Sequence, residues 1–242
     1  MLIYVGFDDT DTVDSDRGTG KLARWFENEL PESCRLWGVV RQQLLVNDAI
    51  PFTTHNSSAC TIIEAPDPSF VDEVISRAIK HIEHHFIRGS DPGLCVAQEN
   101  HPALLRLISF GRVCATRIVT QMDALQAALD AHLSGHGGTN DGIIGAAAAV
   151  GLTAYGWSGR FIEFGRLRGF PQEVAVSELE EAGITVVSID RDGRVPAVED
   201  RVETKGWLRP RLWGGTAVLP VIPGDDHIWE MVGEKKRSEK KG

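Results

Sequence analysis

The apolar run Leu2 to Phe7 is followed at once by Asp8, Asp9, Thr10 and Asp11. Such a stretch reads as a buried strand that has to stop. Three closely spaced carboxylates cannot enter a core without a compensating charge. Hard divalent cations such as Mg2+ take oxygen ligands and are held by one or two carboxylates plus substrate phosphates. Asp8, Asp9 and Asp11 are therefore candidate metal ligands, with Asp9 and Asp11 also candidates for catalysis. Alternation along a continued strand would put Asp9 and Asp11 on one face, whereas a turn would bring in Asp8. The structural alternative is a loop of Asx-turns, in which Asp and Thr bond local backbone.

The chain has 242 residues, 42% of them hydrophobic, which allows a sizeable core in one large or two small domains. A formal net charge of −9 argues against a large non-specific nucleic-acid surface. No apolar run approaches the ~20 residues that span a bilayer. No basic region precedes the first apolar stretch, so the expectation is a cytoplasmic protein with no membrane partner. Cys34, Cys60, Cys95 and Cys114 are scattered among apolar neighbours without a Cys-x-x-Cys pair. They read as buried thiols of a reducing compartment and do not encode a zinc ribbon. Residues 233–242 hold Lys235, Lys236, Arg237, Lys240 and Lys241, and read as a basic flexible tail.

Hydrophobic spacing predicts a strand over Leu2–Phe7, a helix over Lys21–Leu30, strands over Arg35–Val46 and Ser58–Ala65, a helix to about Phe86 and a strand at Leu94–Ala97. This β-α-β-β-α-β order is the split pattern of a ferredoxin-like sheet. Helices are expected over Pro102–Phe110, Gln121–Leu133 and Asp141–Val150. Leu152–Tyr155 and Arg160–Phe164 resemble paired strands around Gly156-Trp157-Ser158-Gly159. Val174–Ala182 reads as a helix, with strands at Ile184–Ile189 and Thr216–Val221. The expected fold class is α/β (α+β), with a nucleotide- and metal-binding domain over 1–135 and a second α+β subdomain over 136–232.

Further segments carry candidate chemistry. Arg17-Gly18-Thr19-Gly20-Lys21 leads into a helix, where glycine amides and the helix start favour an anion. The spacing is not that of a P-loop, and Thr19 is equally suited to capping the helix. Gly18 and Gly20 would approach phosphate, Arg17 or Lys21 would pair with it, and Thr19 and Lys21 are placed in the catalytic set. The loop ending Pro51-Phe52-Thr53-Thr54-His55-Asn56 carries donors, Asn56 among them. Asn140, Asp141 and Gly142 end a second glycine-rich loop that feeds an alanine-rich, closely packed helix. Asp91-Pro92-Gly93 reads as an ordinary turn. The histidines of 81–85 read as a solvated helix face, although His81 and His85 have the i, i+4 spacing of a metal pair.

These segments together resemble the archaeal tRNA agmatidine synthetases (TiaS). The family's opening Gly-Ile-Asp-Asp-Thr-Asp-Ser is similar to Gly6-Phe7-Asp8-Asp9-Thr10-Asp11-Thr12. Its Asn-Ile-Pro run looks like Ala49-Ile50-Pro51, and its Pro-Gly turn like Asp91-Pro92-Gly93. Its Gly-Ile-Ile-Gly-Ala-x-Ala-Ala looks like Gly142 to Ala149. The matches run in order over roughly residues 1 to 165. The resemblance implies ATP as cofactor, a kinase-like domain beside a ferredoxin-like one, and phosphorylation of an anticodon cytidine that agmatine then displaces. It also implies a truncated homologue, because the chain lacks an OB-fold and the ribbon cysteines. The expected activity is an ATP- and Mg2+-dependent phosphotransferase or synthetase acting on a small molecule or nucleotide. Alternatives are tRNA modification with a separate RNA-binding subunit, and a non-catalytic nucleotide sensor. A homo-oligomer is compatible with the sequence.

Overall fold

The computed structural model describes residues 1–50, 55–165, 167–225 and 227–232. The chain packs as two units, one of residues 1–165 with 212–215, the other of 166–211 with 216–242. The first unit begins β1 (Leu2–Asp8), α1 (Thr19–Trp25), β2 (Arg35–Gln43), β3 (Ser57–Glu64), α2 (Val71–His85) and β4 (Gly93–Gln98). It continues with α3 (Leu104–Cys114), α4 (Gln121–Ala127), β5 (His132–Gly135), α5 (Gly142–Tyr155) and β6 (Arg160–Glu163). The six strands run β5-β4-β1-β3-β2-β6, with every neighbouring pair antiparallel. Two β-α-β crossovers interleave here: β3 lies between β1 and β2, and β1 lies between β3 and β4.

Side chains of β1 alternate between two cores. Ile3, Val5 and Phe7 enter a cluster with Leu22 and Phe26 from the α1 segment and Val74, Ala78 and Ile82 of α2. Tyr4 and Gly6 face the opposite layer, built from α3, α4 and α5. The sheet is thus buried on both faces, and β1 is uniformly apolar until its end.

The layer on the second face is set by small residues. A Cβ on Gly6 would collide with the Ala146 carbonyl oxygen, and one on Gly93 with the backbone of Gly142. On the far side of α5, a Cβ on Gly151 would meet the Leu107 carbonyl of α3. Gly142 to Ala149 therefore places helix backbone directly on strand backbone, and residues 145–153 of this helix are all buried.

Some expectations from the sequence are corrected in this region. Leu152–Tyr155 is no strand: it is the last turn of α5, which ends at Gly156 in the left-handed conformation (φ 75°). The alanine run continues through residues that can pack in a helix as well as in a sheet. Arg160–Glu163 does form a strand, but its partner is β2. The helix expected to reach Leu133 stops at Ala127, and the chain returns as edge strand β5. The packing division falls after Gly165, whereas the sequence reading placed it at 135/136, because α5 is fastened to β1 and β4.

The second unit holds β7 (Glu173–Ala175), α6 (Val176–Glu181), β8 (Ile184–Ser188), β9 (Arg201–Glu203), β11 (Thr216–Pro223) and β12 (Ile228–Met231). The short strand β10 (Arg211–Trp213) lies in sequence where the units meet. Strand order within the unit is β8-β11-β12-β9-β7, with β8 parallel to β11 and β9 parallel to β12. Trp229 is buried, and its indole N–H donates to Asp200 at 2.8 Å. Residues 233–242 and the loop residues 51–54 lie outside the described residues.

Gly151→Ala tests the helix-on-helix contact. Higher helix propensity offers at most about 1 kcal/mol, whereas overpacking against fixed backbone costs about 1–3 kcal/mol. The variant is expected to lose about 2 kcal/mol in urea denaturation, and unchanged or raised stability would contradict the close approach.

Candidate functional site

Alternation along β1 directs Asp8 to the same face as Gly6, towards α5. A side chain on Gly145 would overlap the Asp8 carboxylate, so Gly145 is the space in which that carboxylate sits. The strand ends because Asp9 takes a left-handed backbone (φ 48°), uncommon for a residue with a Cβ but tolerated by aspartate. The chain turns there, and Asp8 and Asp9 stay at the strand end while Asp11 is carried away.

Asp9 lies among other carboxylates. Its pKa is raised to about 6, first by burial and then by Asp91, Asp11 and Asp141, against the lowering pull of the Asp91 backbone N–H. Asp8 is raised further, to about 8, by burial and then by the Asp9 charge. Asp91 fixes the loop before α5: Thr139 donates its amide to one oxygen (2.8 Å) and its hydroxyl to the other (2.5 Å). The Gly142 amide donates to the Asp91 carbonyl at 3.1 Å. Gln121 bonds the Asp141 carboxylate at 2.6 Å and the Thr139 carbonyl at 2.9 Å. The acid group therefore rests on β1, the turn into β4 and the start of α5.

Of the sequence-predicted residues, the fold gathers Asp8, Asp9, Asp141 and Gly142 around this point. Asn140 is alongside in the chain, with a left-handed backbone (φ 68°) and its side-chain oxygen against Gly135. Asp11 plays a different part, since its carboxylate accepts from the Thr19 amide (3.2 Å) and hydroxyl (3.1 Å). Thr19 is buried, and its hydroxyl also accepts from the Thr10 amide and hydroxyl. Both residues thereby pin the acidic loop to the start of α1. That helix has only seven residues, and part of its amide capacity at the first turn goes to Asp11.

The cations of the same segment point elsewhere. Arg17 lies 5.8 Å and Lys21 5.1 Å from the Trp25 ring centre, and Arg17 also donates to the His85 carbonyl. Gly18 borders the Asp11 carboxylate and Gly20 borders Ile162. Asn56 donates to the Leu45 carbonyl at 2.7 Å and so closes the loop between β2 and β3. His81 is buried rather than solvated, bonded to the Leu22 carbonyl and packed between Phe7 and Phe26.

Sequence reasoning missed two residues. Asp91 looked like a turn residue because Asp-Pro-Gly is a common turn. The signal that could have found it was Gly93, which must lack a side chain to admit the α5 backbone. Arg41 of β2 is exposed and bonds Ser57 at 2.9 Å; partial desolvation of its guanidinium lowers its pKa while the Asp11 carboxylate opposes that. No local pattern marks it.

No family model matches the chain, and no curated protein sequence matches it. Solved structures do. A tRNA fluorescent labeling enzyme matches with 26% identity and a TM-score of 0.53, over 62% of this chain and 36% of that one. TiaS in complex with tRNA and ATP matches with 25% identity and a TM-score of 0.53, over 62% and 36%. TiaS in complex with tRNA, AMPCPP and agmatine matches with 27% identity and a TM-score of 0.51, over the same shares. This mixed α/β chain is therefore similar to the TiaS enzymes, as its motifs suggested, and the match spans 36% of their length.

The raised pKa of Asp8 sets a pH dependence. The folded state holds this proton more tightly than the unfolded chain, so stability is greatest below the ordinary aspartate pKa and falls as pH rises towards about 8. Asp8→Asn removes the charge. It is expected to stabilise the metal-free protein by about 2 kcal/mol at pH 9 and to change little at pH 4, by denaturant titration at both. Equal effects at the two pH values would contradict the buried charge.

Proposed function

We propose that the first unit carries an ATP-dependent phosphoryl-transfer site, with Mg2+ held by Asp8 and Asp9, acting on a nucleotide or a nucleotide within RNA. The observation that carries this reading is the packing of Asp8, Asp9 and Asp91 at the start of α5, where burial and mutual repulsion raise two of their pKa values. An uncompensated cluster of this kind fits a hard cation chemically. Among the described residues no group of three or more His, Cys, Asp or Glu side chains is placed to cage an ion alone. Mg2+ suits such a partial site, because it keeps waters and completes its shell with substrate phosphates.

Bound there, the ion would neutralise charge on the phosphates, the main requirement of phosphoryl transfer besides positioning. Asp9, at the strand end beside the Asp91 loop, is also the carboxylate this reading assigns to accepting the proton of an attacking hydroxyl. Asp91 positions residues 139–142 through Thr139 and the Gly142 amide. Asp11 and Thr19 hold the acidic loop in place. Arg41, which feels the Asp11 charge, is the cation this reading offers to the phosphate tail, since Arg17 and Lys21 lie over the Trp25 ring.

ATP as cosubstrate is supported by the similar structures solved with ATP and with AMPCPP. The same complexes contain tRNA, which favours an RNA acceptor over a free small molecule. Transfer of labelled agmatine into tRNA, measured with and without cell extract, distinguishes an RNA acceptor used by this chain alone from one needing a separate subunit. ATP bound but never turned over across an acceptor screen would instead identify a nucleotide sensor.

Asp9→Asn is expected to lower Mg2+-dependent ATP turnover about 100-fold or more, whereas Asp11→Asn should mainly loosen the start of α1 and lower the melting temperature. Wild-type turnover by Asp9→Asn, or no Mg2+-dependent ATP binding by the wild type, would refute the site.

A further inference from the structure

A second polar chain lies on the other face of the sheet edge, apart from the acid cluster. β5 pairs with β4 so that Ser134 stands opposite Leu94 and His132 opposite Val96. Leu94 and Val96 face the α2 layer, so Ser134 and His132 face it too. His136, two residues on, extends the same row. The Ser134 Oγ lies 2.9 Å from His136 Nε2 and 2.9 Å from His132 Nε2. His136 Nδ1 lies 3.3 Å from a Glu83 carboxylate oxygen on α2.

Proton roles in this chain follow from valence. An ionised Glu83 can only accept, so His136 carries its proton on Nδ1. Its Nε2 is then bare and accepts the Ser134 hydroxyl proton. A hydroxyl has one proton to give, so His132 Nε2–H donates to Ser134 Oγ. The His136 side chain is 7% exposed and Glu83 58% exposed, so the base is enclosed while the carboxylate remains wet. The His136 amide is also tied to the Pro92 carbonyl at 2.8 Å, which fixes the backbone that carries the ring. Nucleophile, base and orienting acid thus stand in sequence within hydrogen-bond reach, the arrangement that activates a serine.

We propose that Ser134 is the nucleophile of a second reactive centre, with His136 its general base and Glu83 and His132 positioning residues, and that it takes a small uncharged acyl ester. The Glu83 carboxylate beside His136 disfavours an anionic substrate. Ser134 Oγ attacks the ester carbonyl carbon while its proton passes to His136 Nε2. The C–O bond to the alcohol then breaks, and the alcohol leaves with that proton. Water, deprotonated by the same His136, releases the acid and restores Ser134.

The full chain is treated with a fluorophosphonate probe, which forms an Oγ–P bond and expels fluoride, and the labelled peptide is located by mass spectrometry. Labelling is expected at Ser134 and absent in Ser134→Ala, whose ATP binding should be unchanged. His136→Gln is expected to slow labelling about 100-fold, in keeping with the range for general-base assistance. Glu83→Ala should slow it about tenfold at an unchanged melting temperature, and Glu83→Gln, which still accepts from Nδ1–H, should restore most of the rate. Hydrolysis of p-nitrophenyl acetate should follow the same order. No label at Ser134, or labelling at equal rates in wild type and in both Glu83 variants, would overturn the proposal. If His136→Gln does not fold, the Glu83 pair decides alone.

Discussion

Backbone lies on backbone where α5 crosses β1 and β4, and the rest of the first unit is arranged around that contact. Gly6 admits the Ala146 carbonyl, Gly93 admits Gly142, and Gly151 admits Leu107 from the other side. Dispersion at such short range is dense, but it leaves no room for a methyl group at any of the three glycines. The contact also fixes where the start of α5 falls relative to the end of β1. Asp8 and the turn holding Asp91 meet that point because the strands end there.

Bringing those carboxylates together costs stability, which is expressed as a pKa of about 8 for Asp8 and about 6 for Asp9. Nothing in core packing requires acids at this place. Perturbed carboxylates gathered in one spot are a recognised mark of function, and they are the ground for the proposed cation site. The supporting bonds point the same way. Asp11 and Thr19 hold one border of the acidic loop, while Thr139, Gln121 and the Gly142 amide hold the other.

Much of this was legible beforehand, for identifiable reasons. The alternation of Ile3, Val5 and Phe7 and the spacing of Val74, Ala78 and Ile82 announce a strand and a helix, since both periods follow from local geometry. The run Gly142 to Ala149 announces a closely packed helix. Reading failed where two geometries share one composition. Leu152–Tyr155 suited either a strand or a last helical turn, and packing against α3 chose the helix. His132 and Leu133 looked like a helix end, yet the free edge of β4 drew His132 to Gly135 into the sheet. Lys21 and Arg17 looked like phosphate ligands, but the neighbouring indole of Trp25 holds them over its ring.

By itself the sequence determined that an apolar strand ends in a dense acidic group, that two glycine-rich loops feed helices, and that strands and helices interleave in a split order. These are properties of short windows, governed by side-chain period and backbone freedom. Only the tertiary structure decided which of the acids meet. Asp91 joins Asp8 and Asp9 from more than eighty residues away in the chain, and Asp11, one residue beyond Thr10, is turned aside to Thr19. It also aligned Ser134, His136 and Glu83 across two elements. Convergence of this kind depends on strand register and on the close approach of α5, and neither is encoded in any local pattern.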